Sequence, residues 1–230
     1  VQMKNFLTWS TDYVKKILLI GVPSAFEQIL YQTSQIVLLY YVTYVGAEAL
    51  TARQYAMNIS MFIYLFAMAI GTGTAIMIGH YVGAGEKELA YNQVWKSVKS
   101  ALAVSLTMIV VVTLFREPLM GIFTDNERII QIGASVLVLS ILLETGRTIN
   151  ITIINALRAS GDARYPVKIG FISMICIGLS VGYVLVFVLE LGLVGVWLAI
   201  ALDEWIRAIL VLIRWKSRKW ERFAIVTKEE

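Results

Sequence analysis

The stretch that decides the fold is Gln54-Tyr-Ala-Met-Asn-Ile-Ser-Met-Phe-Ile-Tyr-Leu-Phe-Ala-Met-Ala-Ile-Gly-Thr-Gly-Thr-Ala-Ile-Met-Ile-Gly-His80, which contains no Asp, Glu, Lys or Arg. At about 1.5 Å rise per residue such a run exceeds the ~30 Å hydrocarbon core of a bilayer. It is continuous rather than alternating, so it reads as a spanning helix and not as a barrel strand.

Five further apolar stretches surround it. With 54–80, the predicted helices lie near 17–45, 94–115, 129–157, 167–189 and 193–213, joined by short turns such as Gly83-Ala84-Gly85 and Ser160-Gly161-Asp162. The chain has 230 residues, 58% hydrophobic and only 16% charged, with a mean hydropathy of +0.73. Soluble domains carry about 25% charged residues because they must present a wet surface. The expected fold is therefore all-α, a polytopic transmembrane bundle of six helices. Its domain plan is a lobe over 1–222, ending in a basic tail over 214–230. From the opening at Val1 rather than Met, a fragment or a processed piece is expected.

Lys and Arg fall between the apolar stretches. Fifteen lie on one side, from Lys4 through Arg158, Arg164 and Lys168 to Lys228; Arg53, Arg116 and Arg128 lie on the other. That asymmetry predicts both termini in the cytoplasm, in the plasma (inner) membrane, and it argues against nucleic acid as a partner. Trp215 and Trp220 are expected in an interfacial aromatic belt, with the cations from Arg214 to Arg222 on anionic headgroups. Cys176 is the lone cysteine and His80 the lone histidine, which excludes an intrachain disulfide, a thiolate cluster and a histidine-rich metal site, while a Ser–His pair using His80 has no motif behind it. Cys176 is expected buried and inert. Gly71-Thr72-Gly73 lacks a phosphate-loop lysine and reads as helix packing. Neither an enzyme nor a cofactor is expected.

Function should sit where polar residues enter the hydrocarbon. Glu27 lies near the middle of the first helix, beside Gln28, Tyr31, Gln32 and Gln35; Pro23 should bend the helix just before it. Interhelical glue is one account of these amides and a lined cleft is the other. Glu144 and Arg147 stand at i and i+3 on the fourth helix, followed by Asn150, and Asp203 and Arg207 stand at i and i+4 on the sixth. Glu144 and Arg147 are close enough to pair, a structural salt bridge being one account of them; Asp203 and Arg207 are expected to form a structural ion pair, leaving Glu204 as a surplus carboxylate. Asn58 joins the cleft candidates from the second helix. Carboxylates on three helices suggest a hydrated path able to exchange protons or hold Na⁺.

Several motifs together carry a resemblance. Gly21-Val-Pro-Ser-Ala-Phe-Glu-Gln28, Gly46-Ala-Glu-Ala-Leu50, Gly79-His-Tyr-Val-Gly-Ala-Gly85 and Leu157-Arg-Ala-Ser-Gly-Asp-Ala-Arg-Tyr-Pro166 resemble the MATE (multidrug and toxic compound extrusion) transporters. So does the last helix with its basic tail. The resemblance implies one six-helix lobe, the C-terminal one, of a twelve-helix secondary antiporter. Such an antiporter exports cationic or amphipathic compounds in exchange for Na⁺ or H⁺. The expected partners are a small-molecule substrate, membrane lipid, and the other lobe or a second copy. Glu27 and Glu144 are implied as cation-coupling residues, with any Na⁺ held at Glu27. Arg147 occupies the place of an Asp found in some branches. The alternatives are a lipid-linked oligosaccharide flippase lobe from a related branch, an intramembrane enzyme and a scaffold bundle.

Overall fold

The computed structural model describes residues 11–224, without the side chains of Asp12, Tyr13, Lys16, Ile17, Leu19, Ile20, Pro23, Ser24 and Glu27. The predicted bend at Pro23 and the role of Glu27 thus fall on side chains outside the described residues. Six long helices form the bundle: α1 (Thr11–Val45), α2 (Ala47–Gly83), α3 (Lys87–Leu114), α5 (Glu127–Ala159), α6 (Arg164–Val188) and α7 (Gly192–Lys216). A short helix, α4 (Arg116–Gly121), and a 3₁₀ turn (Lys219–Arg222) complete it. Four of these, α2, α3, α5 and α6, are long and apolar enough to cross a membrane. In α7 the charges of Asp203, Glu204 and Arg207 interrupt an otherwise apolar run.

Helix boundaries differ from the sequence expectation in an instructive way. The second helix begins at Ala47, seven residues before the predicted Gln54, because a single residue suffices for the turn. Gly46 adopts φ +133°, a backbone region that L side chains rarely enter. The polar residues that look like loop are accommodated otherwise. Glu48 pairs with Arg128 at 2.8 Å at the helix ends, and Arg53 turns inward and is buried. Helix α3 likewise starts at Lys87 rather than 94, since its first turns can carry charge outside the hydrocarbon. Asn126 caps α5, its Oδ1 accepting from the amides of Arg128 (3.0 Å) and Ile129 (3.3 Å), a contribution of about 1 kcal/mol.

Helix α5 is the spine, packing against α2, α7 and α3. Close approach is set by glycine at specific points. A Cβ on Gly71 of α2 would sit 2.9 Å from Asn155 Nδ2 and 3.0 Å from Ile151 Cγ2, so Gly71 is the packing glycine of its pair, whereas Gly73 faces open space. The bundle holds two apolar cores. One, around Val42, Ile63, Leu137 and Trp197, lies towards the α1–α2 turn; the other, around Ile78, Val94, Ile153 and Trp215, lies towards the opposite end. Between them on α5 and α7 fall Glu144, Arg147, Asp203, Glu204 and Arg207. A polar layer thus divides the bundle at mid-depth, with Ser105 and Thr148 bonded at 2.8 Å beside it. Large exposed side chains such as Phe62, Phe66, Val110 and Ile172 give the bundle the apolar exterior expected of a membrane protein.

Helix α6 contains two π-wound segments, Met174–Leu179 and Val184–Val188, which the periodicity of an apolar run does not reveal. Three expectations are corrected at the end of the chain and in α6. Trp215 and Trp220 are fully buried and stack at 4.4 Å and 3°, so they lock the chain end onto the bundle instead of lying in a lipid-facing belt. Arg214 bonds Asp162 at 2.7 Å, and Arg218 forks onto both oxygens of Glu88. Those paired bonds hold Arg218 still more firmly protonated than usual. The described part of the basic segment is therefore docked on the protein. Cys176 is exposed, not buried, because its π-wound segment turns Met174 and Gly178 inward instead.

Candidate functional site

A cavity of about 550 Å³ opens between α1, α2, α5 and α7, with Met174 of α6 at its edge. That is the size range of pockets for drug-sized ligands. Helical spacing explains its walls. On α1, Gln28, Tyr31, Gln32 and Gln35 share one face and all line it. On α2, Arg53, Met57, Ser60, Met61, Tyr64 and Met68 recur at i, i+4, i+7, i+8, i+11 and i+15 and form the facing wall. Asn58 lines it beside them and accepts from Gln54 Nε2 at 3.2 Å. The methionines give that wall a soft, adaptable apolar surface.

The floor is an ion-pair network. Arg147 Nη1 donates to Glu144 Oε1 at 2.7 Å, and its Nε lies 3.7 Å from Glu204 Oε1. Asn150 Nδ2 donates to Glu204 Oε2 at 2.8 Å. Arg207 Nη2 donates to Asp203 Oδ2 at 2.7 Å and lies 3.1 Å from Glu204 Oε1. Ser173 Oγ donates to Asp203 Oδ1, joining α6 to the chain of charges just before its first π-wound segment. Gly178, inside that segment, packs next to Asp203. Such local rewinding is common beside functional sites. The two expected pairs, Glu144–Arg147 and Asp203–Arg207, are therefore formed. Glu204 is not surplus, however: it bridges both arginines, because α5 and α7 bring Arg147 and Arg207 to the same depth.

The expected cleft residues Gln28, Tyr31, Gln32, Gln35, Asn58, Arg147 and Asn150 all meet at this cavity, as does Glu144; Asp203 borders an adjoining recess with Arg207. Three contributors lay outside the sequence expectation. Arg53 looked like a loop cation, yet it stands in the second turn of α2 with Nη2 directed to Gln35 Oε1 at 3.4 Å. Arg158 looked like a loop cation too, and lines the cavity from the end of α5. The methionine wall is the third, and its signal in the sequence is the helical spacing of Arg53, Met57, Ser60, Tyr64 and Met68. Among the described residues no group of three or more His, Cys, Asp or Glu is arranged to hold a metal ion.

The MatE family model matches residues 23–184. The chain belongs to the MatE family. This is a family of transporters, not enzymes. The chain is 41% identical over 220 residues to an uncharacterized transporter, YisQ, of Bacillus subtilis (strain 168), covering 96% of this chain and 48% of that protein. It is 31% identical over 221 residues to a probable multidrug resistance protein, NorM, of Thermotoga maritima, covering 96% of this chain and 47% of that protein. Its fold matches a multidrug resistance MATE family transporter of the MOP superfamily, solved in an outward-facing conformation, with a TM-score of 0.86 at 18% identity. That match covers 95% of this chain and 49% of the other. The MatE chain thus spans about half the length of the relatives it matches, which is one lobe's worth of helices.

Proposed function

We propose that this MatE lobe lines half of the substrate cleft of a secondary active antiporter, which exports cationic or amphipathic small molecules in exchange for Na⁺ or H⁺. The observation that carries the proposal is the cavity itself: a drug-sized space with an apolar methionine wall, an amide-rich wall and buried charges at mid-depth. Buried charges are expensive in a membrane and pay their way where ions or substrates pass. The multidrug names of relatives favour small-molecule export over flipping of lipid-linked oligosaccharides.

In this account Glu27 and Glu144 are the coupling carboxylates. Glu27 has no Lys or Arg at i±3 or i±4 on its own helix, so a bound cation or a proton can balance its charge. Glu144 is held by Arg147, and exchanges only if that pair opens. No cofactor is used beyond the coupling ion. The lobe over 1–222 works against a second six-helix lobe, in the same polypeptide or a second copy, with the cleft between them. Both termini lie in the cytoplasm. The cationic asymmetry behind that orientation survives the transfer of Arg53 and Arg158 from loops to the cleft.

The test is dye efflux from liposomes holding the assembled transporter, driven by an imposed Na⁺ or proton gradient. Wild type should export dye as the imposed gradient dissipates, and Glu27→Gln should insert and bind dye but lose gradient-driven efflux. Full efflux by Glu27→Gln across pH 6 to 8 would remove Glu27 from the coupling role. An absence of gradient-driven export by the wild type would remove the antiport reading altogether.

A further inference from the structure

Arg53 is 6% exposed, and its Nε has no hydrogen-bond partner. Among the described residues no carboxylate lies within ion-pair distance of it, in contrast to Arg147 and Arg207, whose three acids form the network on α5 and α7. Its hydrogen bond to the neutral amide of Gln35 is a long one, at 3.4 Å. A guanidinium held this way is destabilising on its own, because the lost hydration is not replaced by a counter-charge. It faces the cavity, so a ligand there can supply the missing charge.

The surroundings describe that ligand further. Gln35 accepts from Arg53 through Oε1, which leaves its amide NH₂ to donate alongside the guanidinium. Ser60, two turns along the same face of α2, is buried with an unpartnered hydroxyl. Beyond Arg53 the wall of Met57, Met61, Tyr64 and Met68 runs about 16 Å along the helix at 1.5 Å per residue. On the α2 wall, therefore, Arg53 and its Gln35 partner stand at one end, and an apolar, adaptable face interrupted by Ser60 runs away from them.

We infer that the cleft takes amphipathic molecules bearing an acidic group, a carboxylate, sulfonate or phosphate, which docks on Arg53 and Gln35 while the apolar body lies along the methionine face of α2. This rests on the export reading above and names its substrate class. The planar fork of Arg suits such groups, binding two oxygens at once. The carboxylates proposed above for the coupling ion, Glu27 and Glu144, lie on α1 and α5 rather than beside Arg53 on α2. One molecule class and one ion therefore use opposite charges of the same cleft.

The experiment compares two xanthene dyes of one ring skeleton, anionic fluorescein and cationic rhodamine 6G, as substrates of the assembled transporter in liposomes. Wild type should export fluorescein. Arg53→Gln should raise the apparent KM for fluorescein relative to that for rhodamine 6G by about 10- to 100-fold, the worth of one charged hydrogen bond. Arg53→Lys, which keeps the charge without the fork, should recover part of that ratio. Arg128→Gln, at an exposed ion pair outside the cavity lining, should leave the ratio unchanged. An Arg53→Gln ratio equal to wild type would overturn the inference. So would equal loss of both dyes in Arg53→Gln and Arg53→Lys, which marks Arg53 as structural or as the partner of an acid on the other lobe. Export of rhodamine 6G without fluorescein by wild type would overturn the acidic-group inference and leave the export reading standing. Export of neither would overturn the export reading, and this inference with it.

Discussion

Replacing Arg147 with methionine removes a cation from the polar layer while keeping most of the side chain's volume. Glu144 is 0% exposed and depends on Arg147 at 2.7 Å; its second oxygen, Oε2, already has no partner. Glu204 is less dependent, since it retains Arg207 at 3.1 Å and Asn150 at 2.8 Å. The substitution therefore orphans Glu144 above all. Removing one partner of a buried pair costs about 3–5 kcal/mol. The Arg147 side chain is 15% exposed to the cavity, so water can enter the vacated space, and the lower end, about 3 kcal/mol, is expected. For a chain of this length that corresponds to a fall in Tm of roughly 6–12 °C. Adding Glu144→Gln in the same molecule should recover about 2 kcal/mol, because it removes the stranded charge. The assay is thermal unfolding of purified wild type, both single variants and the double variant in detergent, followed by tryptophan fluorescence. An Arg147→Met variant that melts within a degree of wild type, or single effects that simply add in the double variant, would refute the reasoning.

The packing glycine predicts a contrast: Gly71→Val, driven into Asn155 and Ile151, should destabilise by about 1–3 kcal/mol, while Gly73→Ala, facing open space, should stay within about 0.5 kcal/mol; thermal melts of the two decide it. At the α5–α6 turn Gly161 has φ +96° and its missing Cβ would collide with the Phe223 carbonyl, so Gly161→Ala should release the docked chain end and expose the bonds after Arg218 and Lys219 to trypsin in a timed digest. In a Cys176→Ser background, needed because Cys176 is exposed, Asn126→Cys should react with an impermeant maleimide from outside intact cells and Ser217→Cys only after permeabilisation. The reverse pattern would invert the proposed orientation.

The helices were legible because a bilayer imposes one simple rule, long uncharged runs, and Gln54–His80 obeys it outright. Helix ends were less legible, since polar residues near an end are free to face water, lipid headgroups or the interior. Arg53 is the clearest case: the sequence shows a charge next to an apolar run, and only packing shows that it turns into the cleft. Local pairing was readable where i, i+3 or i, i+4 spacing fixes it, as for Glu144–Arg147 and Asp203–Arg207. The bridge from Glu204 to Arg147 was not, because it depends on the relative rotation of α5 and α7. The π-wound segments of α6 and the stacking of Trp215 on Trp220 escape for the same reason: composition is compatible with several partners, and the choice is made by tertiary packing.

The central claim is that the space between α1, α2, α5 and α7 is where the transported molecule sits. Asn58, exposed on the cavity wall, offers a direct probe. With Asn58→Cys in the Cys176→Ser background of the assembled transporter, the rate of maleimide labelling is measured with and without the transported dye. At about ten times its Kd, the dye should slow labelling about tenfold by simple occupancy, and the labelled protein should lose efflux. Labelling that proceeds at the same rate under saturating dye, with efflux intact once the site is filled, would contradict the account.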